Sequence, residues 1–196
     1  MMQKLTVADI KDHRAYEAER DAFRAEVIAL KKRRRIAVGE FITFVFENAT
    51  TMRFQIQEMA RAERMLTDVQ IAHEVETYNE LIPDAGELCA SMFLELTTEA
   101  QLREWLPKLR GVHEAVSFWL PNGERVVGVE PDAERLTREE ETTTTVHYMK
   151  FHFTPAQAAQ LREPGTRLVI DHPDYQAIAE LNDEQRAELA ADLASV

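Results

Sequence analysis

The residues best suited to chemistry lie in two basic stretches near the N-terminus. Lys31-Lys32-Arg33-Arg34-Arg35 forms one block, and Arg53-Phe54-Gln55-Ile56-Gln57-Glu58-Met59 is followed by Arg61 and Arg64. Guanidinium groups present a planar fork of donors that matches a carboxylate or phosphate, and side-chain amides add directional donors beside them. A pocket lined by Lys31, Arg34, Arg53, Gln55, Gln57, Glu58 and Arg61 would bind a small anion. The competing reading is a solvated helix face with ordinary ion pairs, such as Glu58 with Arg61.

Helical phase sorts the basic block. At 100° per residue, Lys31 and Arg34 follow Val27 and Leu30 on the apolar stripe, while Lys32 and Arg33 point away from it. Cations in the last turn also complement the helix dipole. An inward Arg34 cannot stay unpaired, because an isolated buried charge is very costly. It needs a carboxylate, a ligand anion or a route to solvent.

Other reactive residue types are scattered. His13, His73, His113, His147, His152 and His172 make no H-E-x-x-H pair and no Glu-x-x-His motif, so no metal site and no cofactor is expected from spacing. A site assembled from distant parts of the chain stays open. His147 shares a strand face with Thr145, Met149 and Phe151, which reads as a hydrogen-bonded core histidine. Cys89 lies in an apolar run and reads as a buried, inert thiol. Asp171-His172-Pro173-Asp174 could set an acid–base pair at a strand end, but reads better as a turn. No phosphate-binding glycine loop or nucleophile elbow is present.

Several elements must position these residues. A first long helix is expected from about Arg14 to Arg34, with Tyr16, Phe23, Val27 and Leu30 on one stripe. Phe41 to Glu47 reads as a buried strand, Asn48-Ala49-Thr50 as a turn, and Thr51 to Gln55 as its hairpin partner. Helix starts are marked at Thr67, Thr98, Thr154 and Asn182, each followed three residues later by Gln. Strands are expected at Glu87–Leu96, Val116–Leu120, Arg125–Val129, Thr142–Phe153 and Arg167–Ile170, with Asn122-Gly123 turning a hairpin. Glu130 to Glu141 reads as an acidic surface loop or short helix. The pattern gives an α+β fold with a mostly antiparallel sheet and packed helices, in a single domain spanning 1–196.

Composition narrows the function classes. The chain carries 23 Lys and Arg against 35 Asp and Glu, net charge -12, and residues beyond 35 would repel nucleic acid. No 18-residue apolar run suggests a membrane span, and a single cysteine rules out an internal disulfide framework. A cytoplasmic location follows as the expectation.

The strings Ala29-Leu30-Lys31-Lys32-Arg33-Arg34-Arg35, Phe46-Glu47-Asn48, Arg53 to Met59, Tyr78-Asn79-Glu80-Leu81-Ile82-Pro83 and Ile170-Asp171-His172-Pro173 resemble a bacterial family known only as a domain of unknown function. The resemblance runs along nearly the whole chain. It implies a gene setting beside rubrerythrin-like and iron–sulfur oxidoreductase genes, hence a redox or oxidative-stress context by association, with any metal belonging to the partner. The sequence therefore reads as a non-catalytic accessory or interaction module for such a redox partner protein, expected as a homodimer. The alternative is a small-anion-binding protein or enzyme built on the Arg/Gln cluster.

Overall fold

The computed structural model describes residues 4–131 and 143–194. Helix α1 (His13–Arg34) is capped by Asp12, whose carboxylate accepts from the Ala15 amide at 3.0 Å, and it buries Tyr16, Phe23, Val27 and Arg34. The stripe read from the sequence is thus the packed face, and Arg34 lies on it. Strand β1 (Arg35–Val38) follows without a linker, and Gly39 at φ +80° turns the chain toward β2 (Ile42–Glu47).

Here the structure corrects one expectation. Thr51 to Gln55 is not a hairpin partner of β2 but part of helix α2 (Ala49–Ala62). Asn48 is its N-cap: its side chain accepts from the Thr51 amide at 3.0 Å, and the Thr51 hydroxyl accepts from the Asn48 amide at 2.9 Å. Asn-Ala-Thr therefore starts a helix rather than a turn. Met52 and Ile56, four apart, are the buried pair that the alternating Met52-Arg53-Phe54 pattern disguised. The hairpin partner of β2 is β1, which precedes it.

The chain continues through α3 (Asp68–Asn79), β3 (Glu87–Leu94), α4 (Glu99–Lys108), a 3-10 turn (Val112–Ala115), β4 (Val116–Trp119), β5 (Arg125–Val129), β6 (Val146–His152), α5 (Pro155–Leu161), β7 (Arg167–His172), β8 (Tyr175–Glu180) and α6 (Asp183–Ala194). Reciprocal caps form at Thr67, Thr98, Thr154 and Asn182 with the Gln three residues on, as the spacing predicts. The expected strand from Thr142 begins later, at Val146. Asp171-His172-Pro173-Asp174 turns β7 into β8, a strand that the sequence pattern alone does not reveal.

All strand pairs are antiparallel, in the order β1-β2-β3-β6-β5-β4-β7-β8. The sheet curls until its edge strands approach: the Tyr175 hydroxyl on β8 donates to the Val38 carbonyl on β1 at 2.8 Å. A Cβ at Gly39 would lie 2.8 Å from Cβ of Ala177, so glycine is required there for closeness as well as for φ. The concave face carries one continuous core, including Phe44, Phe46, Met92, Phe118, Phe151 and Ile170. Leu109 and Val112, with Trp105 of α4, cover it on one side, and Leu189 and Leu193 of α6 join the same core. A smaller cluster of Tyr16, Phe23 and Val27 with Phe54 holds α1 to α2. Among the described residues no helix is long and apolar enough to cross a membrane.

Candidate metal centre

The basic residues singled out by sequence are spread over separate contacts. Arg34 is fully buried, donating from Nε to the Phe46 carbonyl at 2.7 Å and from one terminal nitrogen to the Glu47 carbonyl at 3.2 Å. It donates to Glu188 at 3.0 Å and to the Asp192 carboxylate, both on α6. Burial opposes ionisation of Glu188, yet hydrogen bonds from Arg33 and Arg34 hold its carboxyl below the usual range. Lys31 and Gln55 are half-buried on α1 and α2. Arg53 stacks over the Phe23 ring at 4.5 Å.

The remaining members face α1 and the segment before it. The Gln57 amide accepts from the Lys11 amide at 2.7 Å and donates to the Lys11 carbonyl at 3.1 Å. Glu58 accepts a forked pair from Arg20, at 2.8 and 2.7 Å, and the Tyr16 hydroxyl at 2.6 Å. Arg61 pairs with Glu17. Gln57 and Arg61 do line a groove of about 200 Å³ with Val7, Ile10 and Ile71, but the polar atoms named here already have partners. Cys89 is buried, and burial followed by the neighbouring Glu87 pushes its thiol well above the usual thiol range, so it is no nucleophile.

A different group converges at one edge of the core. His147 lies on the concave face of β6, in register with Met92 of β3. Glu130 immediately follows β5, and the antiparallel pairing of β5 with β6 brings it beside the start of β6. There one carboxylate oxygen accepts from the Tyr148 amide at 3.0 Å, and the other lies 2.7 Å from His147 Nδ1. His113 arrives from the 3-10 turn that leads into β4. Gly111 at φ +78° sets the direction of that turn, and the Arg110 carbonyl before it is held by His172 Nε2 of β7 at 3.0 Å. The His113 ring then stacks on His147, with 5.3 Å between centroids and 21° between planes.

All three residues are buried, and one donor atom from each lies within 4.8 Å of the others. His113 Nδ1 stands 3.8 Å from the Glu130 oxygen that faces His147. Donor atoms around a single first-row divalent ion, with bonds of about 2.0–2.2 Å, stand roughly 3–3.5 Å apart. The observed spacing brackets that range. Burial holds His113 below the usual imidazole range, against the pull of Glu130, so its ring is neutral and keeps a lone pair. Neither of its ring nitrogens has a hydrogen-bond partner among the described residues. Two imidazoles and one carboxylate on one side of an ion leave further coordination positions open, as in sites that bind water or a small oxygen ligand.

The expectation of no metal site thus rested on local spacing alone, and these donors share none. His147 is the hydrogen-bonded core histidine that its strand face suggested, with Thr143 Oγ1 2.9 Å from its Nε2. Glu130 corrects the reading of an acidic surface run at its first residue: it is 5 % exposed. The rest of that run, from 132, lies outside the described residues. A signal was present: Glu130 closes an alternating strand whose buried positions are Val126, Gly128 and Glu130.

No curated protein matches the chain. It is similar to a protein of unknown function from Burkholderia pseudomallei K96243, known from a crystal structure, at 33 % identity and a TM-score of 0.87, over 97 % of this chain and 100 % of that one. A family model described as a protein of unknown function, DUF3501, matches residues 4–193. The chain belongs to that family.

Proposed function

We propose that this protein binds a divalent first-row transition-metal ion through His113, Glu130 and His147. The observation that carries the reading is His113: a buried imidazole with neither nitrogen hydrogen-bonded among the described residues, stacked beside a carboxylate–imidazole pair. Buried polar groups are nearly always hydrogen-bonded, and a bare imidazole facing a carboxylate is what a metal ion would satisfy. Imidazole and carboxylate donors suit iron, manganese, cobalt and zinc. With iron or manganese, such a centre would give the redox setting implied by the family resemblance a chemical basis in this chain. An accessory role in the cytoplasm beside a rubrerythrin-like or iron–sulfur partner, as a homodimer, is the wider form of the proposal.

The test is metal content and affinity. The full chain, stripped with chelator and dialysed separately against Zn²⁺, Mn²⁺ and anaerobic Fe²⁺, is expected to retain about one equivalent of at least one of them. His113→Ala should reduce this to background. Retention by His113→Ala equal to wild type, or no retention of any of the three ions by wild type, would overturn the reading.

A further inference from the structure

We propose that Thr143 is the positioning residue of this centre, its hydroxyl stabilising the imidazole tautomer in which His147 presents Nδ1 to the ion. The inference rests on the metal reading above. At 2.7 Å from the Glu130 carboxylate, His147 Nδ1 is placed to donate a hydrogen to it, while Nε2 faces the Thr143 hydroxyl at 2.9 Å. An ion held between His113, Glu130 and His147 needs the lone pair on Nδ1, the nitrogen aimed at the cluster. The ring's single hydrogen must then reside on Nε2. It gets there by exchange through solvent, Nδ1 releasing a proton and Nε2 carrying one.

Nε2–H requires an acceptor, because an unmet donor in a buried site costs as much as a lost hydrogen bond. A hydroxyl suits both states, since it can donate to a bare Nε2 and, after rotation, accept from Nε2–H. Backbone carbonyls and amides can each do only one of these. The backbone of Thr143 is itself anchored, its amide donating to the Leu106 carbonyl at the end of α4 at 3.1 Å. Thr144 is the poorer candidate, with its hydroxyl 3.5 Å from Nε2 and already donating to the Val146 carbonyl at 2.7 Å.

The experiment titrates Co²⁺ into the full-length wild type, Thr143→Ser and Thr143→Val, following affinity and the cobalt absorption spectrum, with the metal-free melting temperature measured in parallel. Removing a group that orients a metal-bound histidine weakens binding about 10- to 100-fold. That loss and a changed spectrum are expected for Thr143→Val, while Thr143→Ser stays within about threefold of wild type. A purely structural role would lower the metal-free melting temperature and leave the spectrum intact. Wild-type affinity and spectrum in Thr143→Val overturn the role of Thr143 while the metal centre stands. A wild type that binds no Co²⁺ or other ion overturns both. Should Thr143→Val fail to fold, Thr143→Ala is read against Thr143→Ser in its place.

Discussion

The imidazoles of His113 and His147 lie face to face, 5.3 Å apart, although one comes from a 3-10 turn and the other from a strand. Two stacked rings beside a single carboxylate form a poor place for two positive charges and a good one for an ion that accepts two lone pairs. Binding to the folded state alone stabilises it by about 2.7 kcal/mol at an ion concentration 100 times Kd. For a chain of this size that corresponds to a rise of roughly 5–10 °C in melting temperature. Differential scanning fluorimetry with the retained ion should show such a rise in wild type and lose it in Glu130→Gln.

Arg34 is expected to dominate the stability of the α1–α6 contact. Replacing it with Met leaves Glu188 and Asp192 facing a side chain with no charge, and breaking a buried pair this way costs about 3–5 kcal/mol. Lysine should recover little, because one ammonium cannot reach two carboxylates and two carbonyls from a forked geometry. Urea denaturation reads both variants. Sulfate or phosphate should not raise the wild-type melting temperature beyond a chloride control of equal ionic strength; a specific rise would revive the anion pocket.

Acid should weaken the α1–α2 contact through Glu58. Hydrogen bonds from the Arg20 guanidinium, joined by the Tyr16 hydroxyl, hold its carboxyl at about 2, against 4.5 for an unperturbed glutamate. A carboxylate lowered on folding contributes stability above its unfolded value, and that contribution is lost as pH falls from about 4.5 toward 2. Partial exposure reduces the effect to about 1–2 kcal/mol. Denaturation at a series of pH values should show a shallower decline over this window in Glu58→Gln than in wild type.

Gly39→Ala tests the curl of the sheet. Its new Cβ would meet Ala177 at 2.8 Å while the backbone holds φ at +80°, so overpacking and strain add. A loss of about 2–4 kcal/mol is expected. A loss below about 0.5 kcal/mol, the range of a neutral surface change, would mean that β1 and β8 separate easily.

Legibility in the sequence followed the range of each determinant. The helix starts at Thr67, Thr98, Thr154 and Asn182 could be read because cap and Gln are three residues apart, and Asn122-Gly123 because a tight turn is local. The inward phase of Arg34 was legible for the same reason, although its partners lie 154 and 158 residues away. Strand β8 was not, since its concave face carries Tyr175, Ala177 and Ala179, and its form comes from pairing with β7. The His113, Glu130 and His147 group was hidden more deeply, because its proximity depends on the pairing of β5 with β6 and on the chain path through Gly111.

The hydroxyl of Tyr175 has a consequence for how the chain acquires its shape. It joins β8 to β1 across 137 residues, and the guanidinium of α1 likewise waits for carboxylates on α6. Segments made earlier are therefore completed by segments made much later. A chain emerging from synthesis would carry α1 with an unanswered charge until α6 docks, and β1 with an open edge until β8 arrives. Closing such distant pairs is slow relative to local contacts. During that interval, the exposed rim of β1 is the surface most in need of protection from other chains.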